Sequence, residues 1–119
     1  MNDASMTSTP MMQVLSKFLD VTAYRQTLIA GNMANVNTPG YRTLDIDFRN
    51  ELHRAMASEE EVSSFAKPVA GLIERPDGNN VSLDREGLMM AHNQLQFRAG
   101  VALLRSEFRR VASAINEGR

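Results

Sequence analysis

The last third of the chain carries an apolar rhythm suited to a helix lying along another helix. From Ser82 to Asn116 there is no Pro, and Met90, Gln94, Phe97, Val101, Leu104, Phe108, Val111 and Ile115 follow one another at steps of 4-3-4-3-4-3-4. A sustained heptad with one polar interruption, Gln94, predicts a helix roughly 50 Å long with a partner helix along its seam. Ser82 is placed to cap it, and Asp84 and Glu86 put negative charge in the first turn, where the helix dipole favours it.

The partner is found at the other end of the chain. Thr9-Pro10 reads as a cap followed by Pro at the first helical position. From there to about Asn35 one stripe runs through Met11, Leu15, Phe18, Leu19, Ile29 and Met33, with Thr22 and Gln26 filling it midway. The residue before Pro39 avoids the helical region, and Pro39-Gly40 suits the centre of a type II turn, so the helix stops here. A short helix is expected after Asp47, with Phe48, Leu52 and Met56 on one side, and a short strand over Val69 to Glu74. Pro76-Asp77-Gly78-Asn79-Asn80 is a second turn cluster.

The expected fold is therefore mainly α. Its two long terminal helices pack as an antiparallel, coiled-coil-like hairpin, joined by a short helix and an irregular, partly β middle. As one domain, it divides into a flexible segment (1–8), a helix (9–36), a turn motif with a short helix and a mobile middle (37–81), and a last helix (82–117). Mobility is expected most in 58–76, which holds the acidic run Glu59-Glu60-Glu61.

A second apolar stripe lies on nearly the opposite side of the last helix, through Leu88, Ala91, Leu95, Ala99, Ala102 and Leu103. Arg98, Arg105 and Arg109 line one strip between the two. Ala is the best helix former, which accounts for part of this stripe. The leucines need burial, and a two-helix hairpin offers none on that side, so neighbouring copies are the expected cover.

Little in the composition points to chemistry. A net charge of −1 leaves no footprint for nucleic acid, and no run approaches the roughly 20 apolar residues that span a bilayer, so neither nucleic acid nor membrane insertion is expected. With no Cys there are no disulfides or thiolate metal sites. His53 and His92 read as surface residues, and Asp45 and Asp47 as a cap and a solvated loop residue before cation ligands. Nucleophile elbows, phosphate loops and zinc spacings are missing, so no enzyme, metal or cofactor is expected. Residues 1–9 lack the basic start and apolar run of a cleaved signal.

Asn32, Asn35 and Asn37, followed by Thr38-Pro39-Gly40-Tyr41, stand apart. A helix stop explains Pro39 and Gly40. It does not explain Asn32, which lies inside the helix beside the apolar stripe and requires a partner there. These residues are read as a docking corner.

The run Asn32-Met33-Ala34-Asn35-Val36-Asn37-Thr38-Pro39-Gly40-Tyr41 resembles the signature of flagellar basal-body rod and hook proteins, N-x-A-N-x-x-T-P-G-[FYW]. Asp45, Asp47, Phe48, Leu52, Asp77-Gly78-Asn79-Asn80-Val81, Leu83-Asp84-Arg85-Glu86, Asn93, Leu95 and Phe97 are most similar to the proximal-rod members of that family. The resemblance covers nearly the whole chain, with a shorter middle over 58–76. It implies a structural subunit of the periplasmic rod, exported through the flagellar type III apparatus without a cleaved signal and assembling helically to transmit torque. The implied partners are further copies of itself, other rod proteins such as FlgC, FliE and the membrane ring. A soluble helical adaptor or flagellar export chaperone is the alternative.

Overall fold

The computed structural model describes residues 8–58 and 66–118. The expected flexible start, apart from Ser8, and the acidic run Glu59-Glu60-Glu61 lie outside them. In order the elements are α1 (Pro10–Ala34), β1 (Leu44–Asp45), α2 (Phe48–Ser58), β2 (Lys67–Pro68) and α3 (Leu83–Glu117). The two long helices run antiparallel and form an elongated body, 68 × 26 × 19 Å. Mainly helical, with a short third helix and a two-stranded sheet, this is the fold class that the two periodic stretches predict.

Both long helices are capped by the residues that their sequences nominate. The Thr9 hydroxyl accepts from the Met12 N–H at 3.0 Å, and Ser82 Oγ accepts from the Arg85 N–H at 3.2 Å. Thr9 also donates to Glu107 Oε1 at 2.9 Å, which ties the start of α1 to the far part of α3. Arg110 and that Thr9 bond hold the Glu107 carboxyl below its ordinary range.

The packed strip of α3 is not the strip of large apolar residues. Its buried positions are Glu86, Asn93 and Gly100, each seven residues apart. Asn93 Nδ2 donates to the Thr22 carbonyl at 3.0 Å and to Gln26 Oε1 at 2.9 Å. At Gly100 the helices touch, since a Cβ there would stand 2.9 Å from Leu19 Cδ2 and 3.0 Å from Phe18 Cδ1. Close approach at a glycine and two bonds from an amide turn α3 so that Met90, Val101, Leu104 and Val111 are partly buried, while Phe97, Phe108 and Ile115 are exposed. The expected seam is thus corrected: it faces the edge of the hairpin rather than its centre. Gly100→Ala should gain about 1 kcal/mol in helix propensity but lose about 1–3 kcal/mol to overpacking. The net result expected in urea unfolding is a loss of about 1 kcal/mol.

Three smaller corrections follow from the same packing. In α1, Leu15 and Ile29 are buried and Phe18 and Met33 partly so, but Met12 rather than Met11 enters the core. On α2, Ala55 and Glu51 are buried and Met56 faces out. The expected strand over Val69 to Glu74 is displaced to Lys67–Pro68, which pairs antiparallel with β1. Val69 adds one bond to the Thr43 carbonyl, and then Gly71 at φ +83° turns the chain away.

Candidate functional site

The corner where α1 ends is a polar joint built from three stretches of chain. Asn32 is fully buried within α1. Its Nδ2 donates to the Leu44 carbonyl at 2.8 Å and to Glu86 Oε1 at 2.6 Å. Its Oδ1 accepts from the Leu44 N–H at 3.0 Å and from the Tyr41 hydroxyl at 3.1 Å. One amide therefore joins α1, the turn, β1 and the start of α3, and the partner that its position demands is Glu86.

The rest of the motif shapes the exit. Asn35 Nδ2 donates to the Gly31 carbonyl at 2.8 Å, and Thr38 Oγ1 donates to Asn35 Oδ1 at 2.9 Å. Asn79 Nδ2 donates to the carbonyls of Asn35 and Thr38 at 2.9 and 2.8 Å, while its Oδ1 accepts from the Val81 N–H at 2.8 Å. Gly40, at φ +75°, donates its N–H to the Asp77 carbonyl at 2.9 Å. A Cβ on Gly78, at φ +87°, would stand 3.3 Å from Gly40 Cα, so the two turns lie back to back. Asn80 Oδ1 takes the Thr43 N–H at 2.7 Å, and Asn80 is itself buried. Arg75 closes the joint by donating to the carbonyls of Val81 and Val36. Asn37 and Pro39 are exposed and take no part in these bonds.

A row of alternating charges continues from Glu86. Arg25 of α1 donates twice to the Asp45 carboxylate, at 2.9 Å to each oxygen. Arg85 reaches the same carboxylate at 3.2 Å and Glu86 Oε2 at 2.6 Å. Burial alone would push the Asp45 carboxyl up, but the Arg25 bonds, the Ile46 N–H and Arg85 outweigh it and hold it below its ordinary value. Tyr41 is pushed the other way, by burial and by the Glu86 charge, so its phenol stays a donor.

Asn32 through Tyr41 and the second turn cluster stand out in the sequence, but their contact does not. By local pattern Glu86 is a dipole partner, and nothing local marks Asn79, Asn80 and Arg75 as bonding partners. The unmet need of Asn32 was the signal available. Asp45 is an ion-pair residue rather than a cation ligand, and His53 and His92 are exposed. Among the described residues no three His, Cys, Asp or Glu side chains come together as a metal site, and no helix is long and apolar enough to cross a membrane. The joint ties separate stretches of this one chain together.

No family model matches the chain. It is 30% identical over 122 aligned positions to the flagellar basal body rod protein FlgB of Salmonella typhimurium, covering 84% of this chain and 88% of that protein. FlgB of Escherichia coli gives the same identity and coverage. FlgB of Borreliella burgdorferi is 28% identical over 104 positions, 68% of this chain and 77% of its own. With such similarity along most of its length, the chain belongs to the family of flagellar basal body rod proteins FlgB.

Proposed function

We propose that this chain is a structural subunit of the proximal rod of a bacterial flagellar basal body and has no catalytic role. The observation that carries the reading is the hairpin's unfinished surface. Phe108 is 57% exposed and Leu95 67%, on different sides of α3, while the corner that sets the angle between the helices is fully bonded. A fixed joint with uncovered apolar flanks is the form of a part completed by neighbours. In this reading, export through the flagellar type III apparatus, without a cleaved signal, delivers the chain to the periplasm. There it assembles helically with copies of itself and with partners such as FlgC, FliE and the membrane ring. Long helices packed side by side transmit torque because twisting the tube requires many contacts to yield together.

The corner residues Asn32, Asn35, Thr38, Gly40 and Tyr41 hold the joint. Phe97, Phe108 and Ile115 form the packing surface toward neighbours, and Leu15, Phe18, Ile29, Met33, Met90, Val101, Leu104 and Val111 support the hairpin. The test is a strain lacking the gene. Basal bodies without rods, restored by the wild-type chain, are expected. Phe108→Asp should fold, because the side chain is exposed in the free chain, yet fail to restore rods or motility, because assembly would bury an unpaired charge. Normal rods in the deletion strain would refute the reading. A small closed complex that never lengthens would favour a helical adaptor.

A further inference from the structure

Two uncovered surfaces of the hairpin differ in kind. The first is a groove of about 450 Å³ between α1 and α3, lined by Thr22, Ala23, Gln26, Asn93, Phe97 and Arg98 among others. Its α1 lip belongs to an exposed row, Ser16, Asp20, Ala23, Thr27, Ala30 and Ala34, at steps of 4-3-4-3-4. These side chains are all short, and only Asp20 is charged. Phe18, which meets α2 through Phe48 at 5.4 Å between rings, lies roughly 140° round α1 from Ala23, so α2 does not cover this side. At the groove floor Asn93 is 2% exposed, and its Oδ1 has no donor.

The second surface is a ridge. Leu88, Leu95 and Leu103 are 72%, 67% and 58% exposed, and they stand on α3 roughly opposite Phe97. A copy therefore cannot seat its own ridge in its own groove. Leu88 and Leu95 are seven residues apart, as are Ser16, Ala23 and Ala30, so two knobs match successive notches. The charges also match. Arg105 and Arg109 run beside the ridge, and neither they nor Asp20 on the groove lip has an oppositely charged partner among the described residues. Guanidinium groups arriving with the ridge are also the donors that Asn93 Oδ1 lacks.

We infer that the Leu88–Leu95–Leu103 ridge of one copy seats in the α1–α3 groove of the next, with its arginines toward Asp20. The inference rests on the rod-subunit reading and adds the mating surfaces. Because the two surfaces are different, the contact is head-to-tail in kind and can repeat, whereas a ridge-to-ridge contact would close at two.

Sedimentation velocity on the purified full-length chain over rising concentration tests this with two variants. Leu95→Glu spoils the ridge and Ala23→Glu spoils the groove lip, both at exposed positions, and each should keep the wild-type circular dichroism. Each alone should associate at least about tenfold more weakly than wild type, a difference of about 1.4 kcal/mol. An equimolar mixture should form pairs that stop at two, because one good ridge meets one good groove. Should a Glu variant lose its helical signal, Leu95→Gln and Ala23→Gln take its place with the same expectation. A mixture that stays monomeric, a variant that assembles like wild type, or a wild-type chain monomeric at every concentration overturns the pairing. None of these results touches the rod reading, which the deletion strain decides.

Discussion

Asn32→Ala is expected to lower stability by about 4 kcal/mol at neutral pH. The substitution removes all four bonds of a fully buried amide. It leaves the Leu44 N–H and carbonyl, the Tyr41 hydroxyl and one oxygen of the buried Glu86 without that partner. Each buried group left unmet costs about 1–3 kcal/mol, more where it is charged. Water reaching the partly exposed Leu44 and Tyr41 keeps the total below the sum. Asn32→Asp should be at least as damaging near neutrality, because a second carboxylate would face Glu86, and should recover part of the loss in acid as one of the pair gains a proton. Urea unfolding followed by circular dichroism measures both. A loss under about 1 kcal/mol for Asn32→Ala would mean that the joint does not organise the fold.

Asp45→Ala should cost about 3 kcal/mol, within the lower part of the range for breaking a partly buried ion pair. Its carboxylate is shared by Arg25 and Arg85, whose side chains are mostly buried. Removing it leaves two cations close together without their anion. The pH dependence has a defined sign. Asp45 is held below its ordinary value when folded, so its contribution is present above about pH 4, where an unfolded Asp is already ionised. It is lost as the pH falls through the lowered folded value. The wild-type urea midpoint should therefore drop on acidification, and Asp45→Ala should drop less over the same window. Parallel pH profiles for the two chains would contradict the assignment.

These two residues show what was legible in the sequence and what was not. The hairpin was legible because heptad spacing over α3 and a capped stripe over α1 are local patterns, and local patterns dictate helices. The need at Asn32 was legible for a similar reason, as a polar side chain set beside an apolar stripe. Its answer was not, because Glu86 is 54 residues away and carries a sufficient local explanation as a charge in the first turn of a helix. The rotation of α3 was hidden in another way. Hydrophobic patterning gives weight to large side chains, whereas the contact is set by Gly100, which lets Phe18 and Leu19 approach, and by the bonds of Asn93. The displaced strand has a comparable cause. Val69 and Ile73 favour a strand, but Ala70, Gly71 and Glu74 do not, and Gly71 turns the chain before the short ladder beside β1 can extend.

That rotation also bears on assembly. Had α3 buried Phe97, Phe108 and Ile115 against α1, only the leucine ridge on its other side would be left uncovered. Burying Glu86, Asn93 and Gly100 instead spends the intramolecular contact on polar bonds and close backbone approach. It leaves the large side chains at the edge, uncovered by the other described residues. A free chain of this form gains stability on assembly, since burying apolar surface is worth roughly 25 cal/mol per Å².

Electron cryomicroscopy of intact basal bodies purified from cells expressing the chain is the most direct test of the central claim, that this hairpin is a repeating part of the rod. The account predicts density at the proximal end of the rod into which α1, α2 and α3 fit with the Asn32 joint intact and the edge carrying Phe108 in contact with a neighbour. A complete rod in which no copy of this hairpin can be placed would contradict it.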